Sequence, residues 1–227
     1  MENHKGHLLV VEDIPDILTL LDAALTFKGY RVSTARNGLE ALERIQQERP
    51  SLIITDILMP KLDGFNLVHR LRINPETRTI PVIFLSATYV APEDKMFAYS
   101  IGVNRFVEKP VDLVAFIPIV ERILSQGENA PLPPLSEAEF YEGYRKRLEI
   151  KLKQKMTQIS RDEHLLDSLS PEEKDSIKGS LKLAVNEREE IQTLLNQIRD
   201  QVESQGYQEK PKDQEESKPE EESKKTE

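Results

Sequence analysis

Five short features in this 227-residue chain combine carboxylates, a hydroxyl and an amine, and they fall at or soon after the ends of apolar runs. Glu12-Asp13 follows residues 8–11. Asp56 follows residues 52–55 and is itself followed by Leu58-Met59-Pro60 and Asp63-Gly64. Ser86-Ala87 follows residues 81–85, and Lys109-Pro110 lies just beyond residues 104–107. Taken one at a time, each has a plain role as a helix cap, a strand-end polar residue or a loop lysine. Those roles leave unexplained why all five fall at equivalent places. Together they describe phosphoryl-transfer chemistry. Clustered carboxylates offer hard oxygen ligands suited to Mg²⁺. One carboxylate can act as the nucleophile and form an acyl phosphate. A lysine supplies a point charge to a phosphoryl oxygen, and a serine hydroxyl donates to another.

For these residues to meet, the chain must bring the ends of its apolar runs to one edge. Three of the five runs (8–11, 30–35, 52–55, 81–85 and 104–107) are nearly continuous in apolar character, as in strands buried on both faces. Amphipathic stretches separate them. Ile17, Leu18, Leu21, Ala24 and Leu25 mark the first, with Gly29 as a C-terminal signal. Leu39, Leu42 and Ile45 mark the second, and Phe65, Val68 and Leu71 the third. A fourth spans 92–101 between Pro92 and Gly102, and a fifth spans 111–124 with Pro118 inside it. This alternation predicts a doubly wound α/β fold, a parallel sheet with helices on both faces. Ligands in such sheets gather beyond the carboxyl ends of the strands.

On these motifs, residues 8–126 resemble the receiver domain of two-component response regulators. The resemblance rests on Glu12-Asp13, Asp56 with Met59-Pro60 and Asp63-Gly64, Ser86-Ala87 and Lys109-Pro110, in that order and spacing. It implies a flavodoxin-like five-stranded parallel sheet of order 2-1-3-4-5. It makes Asp56 the phosphorylated residue, accepting its phosphoryl group from a sensor histidine kinase. Asp13, Asp56 and the Leu58 carbonyl become Mg²⁺ ligands, with Glu12 acting mainly through water. Lys109 and Ser86 become the phosphate-holding groups, and Ser86 and Phe106 the switch pair. A protein of this kind is a signalling switch, with self-phosphorylation and slow self-dephosphorylation as its only catalysis. Ser86 stands where threonine is commoner, and Phe106 has no phenolic hydroxyl, so it can signal only by packing.

The remaining sequence divides differently. The receiver is expected over residues 6–126, a Pro-rich linker over 127–135, a helical region over 136–204 and a disordered charged tail over 205–227. Residues 208–227 carry 8 acidic and 5 basic residues and no hydrophobic side chain. In the helical region Tyr141, Tyr144, Leu148, Leu152, Ile159 and Leu166 lie roughly on one side. Ser170-Pro171-Glu172-Glu173 reads as a helix start. Ile177, Leu181, Ala184, Ile191, Leu195, Ile198 and Val202 follow in a heptad seam that Arg188 interrupts. A helical hairpin and a coiled coil both satisfy this pattern, so a homodimer or a protein partner is expected there. The alternative is a nucleic-acid-binding regulator acting through Arg145, Lys146, Arg147, Lys151, Lys153 and Lys155. Glu149 and the lack of an aromatic ladder favour a solvated face for that cluster instead. The net charge of −9 also argues against non-specific binding to nucleic acid. With no cysteine, thiolate and disulfide chemistry are excluded. No apolar run reaches the length of a secretory signal or membrane span, so a cytoplasmic location is expected.

Overall fold

A computed structural model describes residues 5–125, 133–168 and 171–204 of the chain. Five parallel strands form one sheet: β1 (His7–Val11), β2 (Arg31–Ala35), β3 (Leu52–Asp56), β4 (Val82–Ser86) and β5 (Arg105–Glu108), in the order β2-β1-β3-β4-β5. The expected flavodoxin-like order 2-1-3-4-5 is therefore observed. Between and after the strands come α1 (Pro15–Phe27), α2 (Gly38–Gln47), α3 (Gly64–Ile73), α4 (Pro92–Ser100) and α5 (Leu113–Ser125). Three strands end one residue later than the apolar runs predict. Asp56 pairs in register with Leu85 and Ser86 with Glu108, so the ladder continues under polar side chains. Main-chain pairing, which apolar character does not report, fixes these ends.

Successive side chains on a strand point to opposite faces, and the core divides accordingly. Leu8 and Val10 of β1 pack with Leu21, Leu25, Phe116 and Val120 of α1 and α5. Leu9 and Val11 pack with Ala41, Phe65, Val68 and Phe97 on the side of α2, α3 and α4. Glycines end two of the helices as expected: Gly29 and Gly102 have φ of 89° and 94°, conformations that cost a residue without Cβ little. Pro118 lies inside α5, which runs on past it to Ser125.

Two long helices follow, α6 (Glu137–Ser168) and α7 (Pro171–Ser204). Ser136 opens α6: its hydroxyl accepts from the Glu139 amide at 3.3 Å, while the Glu139 carboxylate accepts from the Ser136 amide at 3.0 Å. The expected cap at Ser170 and the tail over 205–227 lie outside the described residues. The two helices pack against each other, with ion pairing between Lys155 and Glu187 and a 3.3 Å hydrogen bond from Ser180 to Asp162. The heptad seam thus closes within the chain as a hairpin.

This hairpin shares the core of the α3–α4 side of the sheet. Phe140, Tyr144 and Leu148 of α6, and Ile191, Leu194 and Ile198 of α7, are buried with Phe65 and Phe97. Phe65 lies at the centre, its ring centroid 5.3 Å from Phe84, 5.4 Å from Tyr89, 5.3 Å from Phe97 and 5.2 Å from Tyr144. Phe140 stacks on His69 at 4.0 Å with the planes nearly parallel. A Cβ at Gly143 would stand 2.6 Å from the Phe97 ring, so glycine lets α6 approach α4 this closely.

The basic cluster of α6 departs from the solvated face expected of it. Lys151 is buried, and Lys155 and Arg147 are half-buried. Lys151 pairs with Asp94 of α4 at 2.7 Å, and the Arg147 guanidinium lies 5.8 Å from the Phe97 ring centre. A lysine or arginine stem is apolar and can line an interface while its head finds an acid or a ring. No helix among the described residues is long and apolar enough to cross a membrane.

Candidate functional site

The five sequence features do meet beyond the carboxyl ends of β1, β3, β4 and β5. Glu12 leaves β1 directly, and its amide is held by the carbonyl of Ala35 at 3.0 Å. Asp56 ends β3 and Ser86 ends β4, next to Leu85, the register partner of Asp56. Lys109 follows β5, with its amide on the Ser86 carbonyl at 2.9 Å and a cis bond to Pro110. Gly64 opens α3 against the same strand end. A Cβ there would lie 2.4 Å from the Asp56 carbonyl oxygen, so the helix start can sit this close only with glycine. Asp63 caps α3 by accepting from the Asn66 amide at 3.0 Å.

Carboxylate oxygens of Glu12, Asp13 and Asp56 all lie within 4.8 Å of one another. The Lys109 ammonium bridges two of them, 2.7 Å from Glu12 Oε2 and 2.6 Å from Asp56 Oδ2. The other Asp56 oxygen accepts from the Ile57 amide at 2.6 Å. Glu12 is fully buried and Asp56 is 8% exposed, so these charges have little water to screen them. Burial, reinforced by the Asp56 charge and only partly offset by Lys109, pushes the Glu12 carboxyl up to about 7. Burial also raises Asp56 and Asp13. For Lys109 burial works downward, but the carboxylates of Asp56 and Glu12 outweigh it and raise the ammonium.

With all three carboxylates ionised against one ammonium, this largely buried site carries an excess of negative charge. Hard oxygen donors with that excess fit a divalent cation.

Ser86 is 2% exposed, and its Oγ accepts from the amides of Thr88 at 3.2 Å and Tyr89 at 3.0 Å. Leu58 lies two residues past Asp56, half-buried against the larger core. Phe106 sits in β5 opposite Phe84 and is half-buried; the Lys95 ammonium lies 5.7 Å from its ring centre. Glu12, Asp13, Asp56 and Lys109 thus form one contact group. Ser86 adjoins them through the sheet, and Leu58 and Phe106 flank them.

Sequence reasoning missed the groups that hold the loop between β4 and α4. Lys151 donates to the Thr88 carbonyl at 2.8 Å, and the fully buried Tyr89 ring lies 5.2 Å from the same ammonium. A signal was available. Phe140, Tyr144, Leu148 and Lys151 are spaced four, four and three, so Lys151 falls on the buried stripe of α6.

Residues 8–121 match the response regulator receiver domain family. An "Uncharacterized 14.6 kDa protein in sodA1 3'region" from Leptolyngbya boryana is 40% identical over 115 residues, 51% of this chain and 87% of its own length. YkoG of Bacillus subtilis, named an uncharacterized transcriptional regulatory protein, is 35% identical over 54% of this chain; the chain spans only 52% of that longer relative. Among solved structures, the signal receiver domain of a signal transduction histidine kinase from Syntrophus aciditrophicus is 37% identical. It superposes with a TM-score of 0.51 over 58% of this chain and 98% of that one. With this sheet order, this edge of carboxylates and this match, the chain belongs to the response regulator receiver domain family.

Proposed function

We propose that this protein is the response regulator of a two-component phosphorelay, accepting a phosphoryl group on Asp56 from a histidine kinase and switching the surface that carries the α6–α7 hairpin. The observation that carries this reading is the contact group itself: one Asp56 oxygen is held by Lys109, inside a cluster of three carboxylates. A nucleophilic oxygen, a fixed positive charge and cation-binding oxygens are the parts that phosphoryl transfer needs.

In the forward step an Asp56 oxygen attacks phosphorus while the phosphorus–nitrogen bond to the kinase imidazole breaks. The imidazole nitrogen keeps the electron pair and takes up a proton. Lys109, held by Glu12 and Asp56, presents its ammonium to a phosphoryl oxygen. Ser86 accepts two backbone bonds and so keeps its hydroxyl proton to donate to another phosphoryl oxygen. Asp13, Asp56 and the Leu58 carbonyl, with Glu12 mainly through water, would hold Mg²⁺. The ion supplies neutralisation of charge on the phosphoryl oxygens. Movement of Ser86 draws the β4–α4 loop with it, and Phe106 repacks behind the loop. The phosphoryl group thereby selects one of two packings. No external substrate is turned over; self-phosphorylation and slow self-dephosphorylation are the only chemistry.

The output is an interaction module, the hairpin, acting on a protein partner or a second copy of the chain. The name of YkoG favours a second reading, a regulator that binds nucleic acid through α6. Arg147, Lys151 and Lys155 are turned to Phe97, Asp94 and Glu187, which takes three of the six bases out of any such surface, and Arg145 and Lys146 lie beside Glu149 and Glu142 on the same helix. Salt-dependent retention on DNA would favour the second reading.

Asp56→Asn removes the nucleophile and nearly preserves shape. It should abolish labelling by acetyl phosphate and Mg²⁺, read by mass spectrometry of the intact protein. Label retained at the wild-type level in that variant would refute the assignment.

A further inference from the structure

A buried charge of the hairpin reaches the loop that carries Ser86. Lys151 of α6 is 5% exposed, and Asp94 of α4, its partner at 2.7 Å, is 3% exposed. The same ammonium donates to the Thr88 carbonyl at 2.8 Å. Thr88 and its neighbour Tyr89 point their amides at Ser86 Oγ. A continuous chain of polar contacts therefore runs from α6 through the β4–α4 loop to Ser86. Tyr89 seals the loop from below, its ring edge-on to Phe65 at 5.4 Å.

We infer that Lys151 is a positioning residue for the Asp56 site, holding the β4–α4 loop, and with it Ser86, against the shift that capture of a phosphoryl oxygen requires. The inference rests on the phosphorylation of Asp56 proposed above and names the residue by which the hairpin regulates it. Ser86 is fastened to the loop by two amides, so it cannot travel toward Asp56 unless the loop moves or those bonds break. Lys151 resists that movement from outside the receiver, through a hydrogen bond and an ion pair both shielded from water, where such contacts are strongest. The coupling must be reciprocal: a hairpin that restrains Ser86 is itself loosened when Ser86 is drawn to the phosphoryl group.

The test uses the full chain, acetyl phosphate and Mg²⁺. Lys151→Met should take up label roughly fivefold faster than wild type per folded molecule, while Lys151→Arg stays near the wild-type rate. A lysine that only stabilised the interface would lower the melting temperature and leave the rate per folded molecule alone. Equal or slower labelling of Lys151→Met overturns the inference. A second measurement needs no variant. Phosphorylated wild type should exchange amide hydrogens over residues 147–155 faster than wild type whose Asp56 carboxylate is free, and equal exchange overturns the inference too. These failures differ from failure of the phosphorylation itself, in which the wild type takes up no label and both readings fall together.

Discussion

The phosphoryl pocket and the hairpin interface occupy adjoining parts of one molecule and are held by opposite kinds of force. In the pocket, three carboxylates share one lysine, and burial raises every one of the acids. It is a place where charge is stored at a cost in stability. In the interface, Phe140, Tyr144 and Leu148 bury apolar surface against Phe65, His69 and Phe97, and the ion pair of Lys151 with Asp94 is enclosed within it. The difference shows how a small chemical event can move a large surface. The pocket is poised to change its charge, while the interface holds its position mainly by packing. Lys151 is where the two meet.

The comparison is tested most sharply by emptying the interface. Phe140 is fully buried and stacked on His69, and Phe140→Ala should cost ~3–5 kcal/mol in urea unfolding or in release of the hairpin, as for other large aromatic truncations in cores. Asp56 should still accept label, because the hydrogen bonds that join Glu12, Asp56, Ile57 and Lys109 are made within the strand-end loops and do not use Phe140. A loss below about 1 kcal/mol would mean that the hairpin is only loosely laid on the receiver and that the contrast drawn above is false.

A change of charge in the pocket should have a somewhat smaller effect, and its sign is fixed. Glu12 has a folded value of about 7 against an ordinary value of 4.5, so the folded protein holds the proton more tightly than the unfolded chain. That contribution is fully present below pH 4.5 and is lost as pH rises through 7, amounting to on the order of 3 kcal/mol. Asp56 and Asp13 shift in the same direction and add to the slope. In chelator, the melting temperature should therefore fall as pH rises from about 4.5 to 7. Added Mg²⁺ binds the ionised carboxylates, so its stabilising effect should be largest above pH 7 and small near pH 5. A Glu12→Gln variant should flatten the slope in chelator. A melting temperature independent of pH over this window would show that the pocket stores no such charge.

The two regions also differed in how much of them the sequence disclosed. Asp56, Ser86 and Lys109 announce themselves because polar residues that close apolar runs stand out against a regular background. The topology then carries them to one edge with no knowledge of side-chain packing. The parallel sheet, the glycine-ended helices and the two long C-terminal helices are legible from pattern, whereas the strand order 2-1-3-4-5 follows only from the family resemblance. The docking of the hairpin is legible from neither. Periodicity says which face of α6 is apolar and nothing about what covers it, and the outer faces of α3 and α4 carry ordinary helical patterns. The spacing puts Lys151 on the stripe of Tyr144 and Leu148, but which acid neutralises it there, Asp94, is not legible from α6 alone. Phe140, one turn before Tyr144, lies on the same stripe, beside Tyr141, which is equally apolar in body, so periodicity alone does not separate the two.

The smallest effect expected lies between the two regions, at Leu58. This side chain follows Asp56 by two residues and packs half-buried against the same core that receives the hairpin. An apolar group beside an acyl phosphate offers nothing to orient an attacking water. An amide in its place can accept from that water and align it with phosphorus, the positioning part of general-base assistance. Leu58→Asn should therefore shorten the half-life of the phosphorylated protein by a few-fold, up to about tenfold, which is less than general acid–base catalysis by a tuned group contributes. The rate of labelling should change little, since phosphorylation proceeds by attack of Asp56 and needs no water. Following loss of label after acetyl phosphate is removed separates the two rates. A half-life equal to that of wild type would mean that water reaches the phosphoryl group by a path Leu58 does not guard. The slow step of reversal would then be set by the Ser86 loop and its tie to Lys151.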